Sequence, residues 1–360
     1  DDCPSAQAIY YDMSEYTGGF AYNLKPEEIA SSRVASLLSD PYRADIMRLR
    51  NSVSKNSPKS YEFFADSTAK KLWVIVNMSS GNLKKVSLFD PDAIEIVRSG
   101  EGVTVSRLSS LTSYEIERPK IGLWKAVIEG DGEFAIIASA SSPLSFDNFD
   151  FVEYDDSVHS GYFKIVGYPI AGSKTAAKAT LSGEASDLRF ELKTSAGETF
   201  KSFKMDGFGK YRGLKVFLAE DFIAPDRDFY AYAFGKDENG VNFQRITQKP
   251  IVVASASISA LSISDLSLGK ETIYAFRITN KGKDDTFGIT AMDDNHYIRS
   301  ISREKVFIKS GDSADINITL NSGKTAAIGT RNELKVIAAP ICGGGIGGYT
   351  QVSGSVTKAE

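Results

Sequence analysis

Two cysteines and two histidines in 360 residues leave little material for several common chemistries. A zinc framework, a haem site and a disulfide-dense scaffold each need more of these ligands than the chain holds. No run of 18 apolar residues is present, so no helix is expected to span a membrane. Charge of one sign is also missing in bulk: 42 basic residues stand against 46 acidic ones, a net charge of -4, with no basic arm or acidic tail. That balance excludes nucleic acid as an expected partner.

What is present fits a globular protein of two or three domains, since 360 residues at roughly 150 per domain give that count. The hydrophobic fraction of 42% is enough for packed cores and argues against wholesale disorder. The chain starts at Asp1 rather than Met, and it reads as a mature or processed product. Residues 1–57 are expected to be a helical lead. Pro26-Glu27-Glu28 opens one helix with a first-turn proline and carboxylates that suit the helix dipole. Ile29, Val34, Leu37 and Leu38 would give it an apolar stripe. Asp40-Pro41 would start a second helix, with Ile46, Leu49 and Val53 at near-helical spacing.

From Tyr61 onward short alternating runs with turns every 8–12 residues predict a mainly β chain of three consecutive Ig-like or jelly-roll-like sandwiches, over 58–156, 157–255 and 256–360. Asp90-Pro91-Asp92 and Asp237-Glu238-Asn239-Gly240 read as turns. Glu129-Gly130-Asp131-Gly132 reads as a hairpin turn. Trp73 and Trp124 fall on strands of the first sandwich and are expected in its core. The run Phe146-Asp147-Asn148-Phe149-Asp150-Phe151 is either a strand with one buried face or an exposed ligand surface.

The candidate sites are few. Asp293-Asp294-Asn295, in a loop between strands, is the best placed group for calcium, and no other cofactor is implied. The remaining acidic pairs, such as Asp155-Asp156, Asp284-Asp285 and Asp226 with Asp228, read as solvated loops. Asp155, Ser157 and His159 crowd one loop, which is poor geometry for a triad whose members must converge. The glycines of Gly343 to Gly348 formally contain G-x-G-x-x-G, but a strand pattern follows where a dinucleotide site needs a helix. Sequons stand at Asn77 and Asn317. Cys3 and Cys342 are either two unpaired thiols or a single bridge. A bridge would close nearly the whole chain, worth about 5–6 kcal/mol on loop entropy alone, and would imply an oxidising compartment.

Several segments carry a resemblance. Tyr16-Thr17-Gly18-Gly19-Phe20-Ala21-Tyr22 resembles the A-x-x-T-G-G segment near the end of a von Willebrand A domain, with Ser14 in place of its alanine. Leu88-Phe89-Asp90-Pro91 resembles the L-x-D-P turn of the sandwich that follows that domain in hemicentin-like proteins. Pro119, Gly122 and Trp124 fit the family's P-x-x-G-x-W. Gly235, Asp237, Gly240, Phe243 and Arg245 fit its G-x-D-x-x-G-x-x-F-x-R hairpin. Phe276 to Asn280 with Asp285-Thr286-Phe287 is similar to the closing Ig-like units. The metal-dependent adhesion motif D-x-S-x-S is absent, so metal-dependent ligand binding is not implied. The resemblance implies a secreted, non-enzymatic protein that binds or assembles through sandwich surfaces, with protein or glycan partners and a possible second copy of itself. A body-fluid carrier or defence protein holding a small apolar ligand between sandwiches, and a hydrolase or its accessory module, are the alternatives.

Overall fold

The computed structural model describes residues 6–29, 43–157, 160–341 and 346–358. They form three β-sandwiches in a row, preceded by helix α1 (Ala6–Tyr16) and a single helical turn, α2 (Pro26–Ile29). The chain is mainly β, as its alternating pattern predicts. Residues 30–42, where Val34, Leu37 and Leu38 fall, lie outside the described residues.

The first sandwich contains β1 (Arg43–Val53), β2 (Lys59–Ala65), β3 (Lys71–Met78), β4 (Asn82–Phe89), β5 (Val103–Arg107), β6 (Leu111–Glu117) and β7 (Gly122–Ser141). β7 is 20 residues long and serves both layers. Its first half pairs with β2 and β4, and its second half with β1 and β3. The expected turn at Glu129–Gly132 is therefore corrected to a bend inside one strand. A Cβ on Gly132 would lie 2.3 Å from Ser80 O, and Gly132 has φ +130. These glycines let the β3–β4 turn sit directly on the bend, a local demand that looks like turn composition.

The helix expected after Asp40-Pro41 is corrected as well: β1 is a strand. A bulge between Asp45 and Met47 shifts its register, and six consecutive residues, Ala44 to Leu49, are buried. Apolar residues therefore recur at intervals other than two, which mimics helical spacing. β1 is an edge strand of the first sandwich, and the second sandwich covers its free edge. Gln244 Nε2 donates to Ile46 O at 2.9 Å, Tyr232 Oη to Arg48 O at 3.3 Å, and Arg50 N to Ser195 O at 2.7 Å. An uncovered edge would invite pairing with other chains.

The second sandwich packs β13 (Asp206–Tyr211), β14 (Leu214–Ile223), β10 (Lys174–Ser182), β8 (Ser145–Asp155) and β9 (Gly161–Lys164), in that order, against β12 (Thr199–Phe203), β11 (Ala185–Lys193), β15 (Tyr230–Asp237) and β16 (Asn242–Ile246). β8 thus belongs here, so the first sandwich spans β1 to β7 rather than 58–156. The third sandwich packs β17 (Ala256–Ser262), β19 (Thr272–Asn280), β23 (Ser313–Leu320) and β21 (Ile298–Ile301) against β18 (Leu266–Ser267), β25 (Gly348–Thr357), β24 (Arg331–Pro340), β20 (Asp285–Asp293) and β22 (Lys305–Ile308).

Each sandwich has its own core. Leu72, Val74, Val76 and Trp124 sit in the first, Phe149, Phe190 and Phe229 in the second, and Phe276, Ile318 and Val336 in the third. Trp73 is buried elsewhere, on the opposite face of β3 with Ile75, Leu111 and Ile137, under Phe20, Tyr22 and Leu24 of the N-terminal segment. Both faces of this sheet are covered, so β3 is buried throughout rather than alternating.

Candidate functional site

The β15–β16 hairpin builds the junction between the first two sandwiches. Gly235 lets two strands approach, since a Cβ there would lie 2.5 Å from Ser186 O. Asp237 closes the turn: Oδ1 accepts from Asn239 N and Val241 N, each at 2.9 Å. Its Oδ2 crosses to the first sandwich and accepts from Ser67 N at 2.9 Å and Ser67 Oγ at 2.6 Å. Burial pushes this carboxyl up, but the Ser67 and turn hydrogen bonds outweigh it and hold it below the usual aspartate value. Phe243 faces the core, and Arg245 two residues on is fully buried. Its Nη1 faces Asp66 Oδ2 at 2.6 Å, Nε donates to Leu144 O at 2.7 Å, and Nη2 to Ser142 Oγ at 2.9 Å. One guanidinium ties β16 to the β2–β3 loop and to the connection after β7.

Helix α1 lies over the same seam. It ends in a Schellman motif: Gly19 N donates to Ser14 O at 2.7 Å and Gly18 N to Glu15 O at 3.0 Å, with Gly18 at φ +79. Arg48 reads this turn by donating to the carbonyls of Gly18 and Gly19, and it also pairs with Asp45. Along the helix, Asp12 pairs with Arg50 of the first sandwich, while Tyr230 Oη donates to Glu15 at 3.0 Å and Tyr16 Oη to Asp228 at 2.6 Å in the second. These groups line a cavity of about 410 Å³. Burial raises the carboxyls of Glu15 and Asp228 above their usual values, and it raises the phenols of Tyr16 and Tyr230 too.

A larger groove, about 630 Å³, shares Tyr16 and Asp228 with that cavity. One wall is Asp147 to Phe151 of β8, the others are the segments 164–169 and 247–252. β8 pairs with β10 from Ser145 to Val152 but meets β9 only from Val152 onward. Among the described residues, Asp147 to Asp150 have no strand on that side. A bulge after Phe146 puts Phe146 and Phe149, three residues apart, on one buried face, while Asp147 and Asn148 stay exposed. The Phe-Asp run therefore has both a buried face and a face on an open groove.

The remaining expected sites fall elsewhere. Asp293 spends both carboxylate oxygens near the amides of Tyr297 and Ile298, at 2.6 and 3.5 Å. Asn295 binds Asn332 and Arg331 O, and Asp294 N donates to Glu333 O. The three residues thus close a turn, with His296 at φ +58. Among the described residues no group of three or more His, Cys, Asp or Glu could hold a metal. Asn77 is corrected: it is fully buried, accepts from Asn23 N at 3.0 Å and donates to Ala21 O at 3.2 Å, so no glycan fits there. Asn317 is exposed on β23. Asp155 accepts from Ser157 N, a local turn, and His159 is outside the described residues, as are Cys3, Cys342 and Gly343 to Gly345. Gly348 begins a strand.

Two further motifs meet in the first sandwich. Asp90 caps its turn by accepting from Asp92 N and Ile94 N, and Lys120 bridges Asp90 and Asp92. Pro91 lies 2.8 Å from where a Gly122 Cβ would be, and Trp124 Nε1 donates to Lys120 O at 2.9 Å. The seam of α1 was not legible in the sequence; its one signal was Thr17-Gly18-Gly19, a helix C-terminal pattern with no predicted helix before it. The Phe146–Phe151 run pointed to the β8 face but not to the segments that wall the groove.

The fold and these contacts define a mainly β, multi-sandwich chain with an Ig-like third unit. Residues 255–340 match the family described as the VWA7 Ig-like domain. Hemicentin-1 of Mus musculus is 18% identical over 245 residues, which cover 66% of this chain and 4% of that protein. Among solved structures, a DUF4785 family protein from Legionella pneumophila has a TM-score of 0.39 at 11% identity, covering 93% of this chain and 96% of that one. An ICAM-5 D1-D4 ectodomain fragment has a TM-score of 0.23 at 10% identity, covering 83% of this chain and 77% of that one. Likeness this loose transfers no function. Among the described residues no helix is long and apolar enough to cross a membrane.

Proposed function

We propose that this chain is a non-enzymatic, extracellular binding module whose contacts run through the groove beside β8. The supporting observation is the stretch Asp147–Asp150, which among the described residues has no strand on one side and there lines a groove walled by segments 164–169 and 247–252. A strand edge of this kind offers its amides and carbonyls to an added strand, and pockets beside it select side chains. The occupant is an extended segment of a partner protein. Asp147, exposed on the wall, favours a basic side chain, whereas Asp150 is already paired with Lys164 and Asp228 accepts from Tyr16 Oη and Val253 N. The hemicentin-1 similarity supports the extracellular setting, and so would a bridge between Cys3 and Cys342 and a glycan on Asn317.

The test is attachment of cells, and of single purified matrix proteins, to the immobilised chain. Tyr168→Ala and Asp147→Lys line the groove without touching a core, and each is expected to weaken attachment by about tenfold, the effect of losing one contact worth about 1.4 kcal/mol. Unchanged attachment by both variants, with unaltered circular dichroism, overturns the reading.

A further inference from the structure

We propose that Asn239-Gly240 is a self-modifying site that loosens the junction between the first two sandwiches as the protein ages. It is the sole Asn-Gly dipeptide in the chain. Asn239 is exposed, and Gly240 sits at φ +76 with nothing within 4 Å of where its Cβ would be. Gly240 thus carries no side chain of its own and has open space where one would stand.

In the reaction, Gly240 N forms a bond to Asn239 Cγ. The Cγ–Nδ2 bond breaks, and ammonia leaves with the proton from the Gly240 amide. Water then opens the resulting succinimide at either carbonyl, giving aspartate or isoaspartate. The net change is one water consumed and one ammonia released.

The site matters because of what it touches. Asn239 Nδ2 donates to Ser67 Oγ at 2.8 Å, across the junction, and Ser67 Oγ donates in turn to Asp237 Oδ2. Either product replaces that donor with a carboxylate that cannot donate, next to a second carboxylate on Asp237. Isoaspartate also adds a methylene to the backbone of a turn held by two hydrogen bonds to Asp237 Oδ1. The closed turn restrains the reaction, because Gly240 N donates to Asp237 O at 3.0 Å. Modification therefore proceeds from the opened turn, and its rate reports how often the turn opens.

Incubation of the whole chain at 37 °C in mildly alkaline buffer, followed by trypsin and mass spectrometry, tests this. The peptide Asp237–Arg245 is expected to gain about 1 Da, the mark of a labile asparagine, and to resolve into aspartate and isoaspartate forms with matching ammonia release. Asn239→Gln should abolish the gain. Ser67→Ala, which frees the carboxamide and the turn, should speed it several-fold, and Asn239→Asp should lower the melting temperature of the first two sandwiches. A gain that persists in Asn239→Gln, and so comes from Asn242, overturns the proposal. So does a peptide that stays unmodified while other asparagines react, or a melting temperature unmoved by Asn239→Asp.

Discussion

Arg245 shows what one buried charge does. It is fully buried against a fully buried Asp66, and removing one partner leaves the other uncompensated in a low-dielectric site. Arg245→Met is expected to cost about 3–5 kcal/mol in urea denaturation, while Arg245→Met with Asp66→Leu recovers most of it. Full destabilisation in the double variant would show that packing, not charge, dominates. Asn77 gives a second contrast. Asn77→Ala leaves Asn23 N and Ala21 O without partners and should cost about 1–3 kcal/mol, whereas Asn317→Ala, on an exposed face, should be near neutral. Glycopeptide mapping of secreted protein should find sugar at Asn317 and none at Asn77.

At the scale of elements, α1 and the β15–β16 hairpin respond to pH in opposite senses. Asp237 is held below its ordinary value of 3.8, so its contribution is present above that pH and is lost as pH falls through the lowered value. Glu15 and Asp228 are raised by burial, so the folded state binds protons more readily than the unfolded one. Their contribution therefore grows as pH falls through their raised values towards the ordinary carboxyl range. Glu15→Gln should flatten the rise in stability on mild acidification, and Asp237→Asn the fall at lower pH. Denaturation midpoints across that range, for both variants, separate the two effects. The bend of β7 is the other element with a sharp requirement. Gly132→Ala meets both a positive φ and a contact at 2.3 Å, and it should destabilise by well over about 1 kcal/mol.

For the whole molecule, the three units are joined unequally. The first two share a buried ion pair, a capped strand edge and a helix over their seam. The second and third are stitched by the backbone around Ala254, whose amide donates to Pro169 O at 2.8 Å and whose carbonyl accepts from Ala171 N at 3.1 Å, and by Ser255 N to Ile346 O at 3.0 Å. Calorimetry is expected to show the first two sandwiches melting together and the third apart, with Arg245→Met splitting the first transition. One cooperative transition for all three would refute this division.

The alternating pattern by itself determined that the chain is mainly β, and the turns at Asp90 and Asp237 were legible because their capping chemistry is local. The motif residues Gly235, Asp237, Phe243 and Arg245 were also visible, but not that Arg245 meets Asp66, which lies 179 positions earlier. Only the tertiary structure decided that β1 is a strand, that Glu129–Gly132 bends rather than turns, and that Asn77 is buried. At Glu129–Gly132 the glycines that let the β3–β4 turn pack on the bend carry the composition of a turn; for β1 and Asn77 the physical reason is coverage. Covering both faces or the edge of a strand erases the alternation by which it is recognised, and the covering elements are supplied from distant parts of the chain.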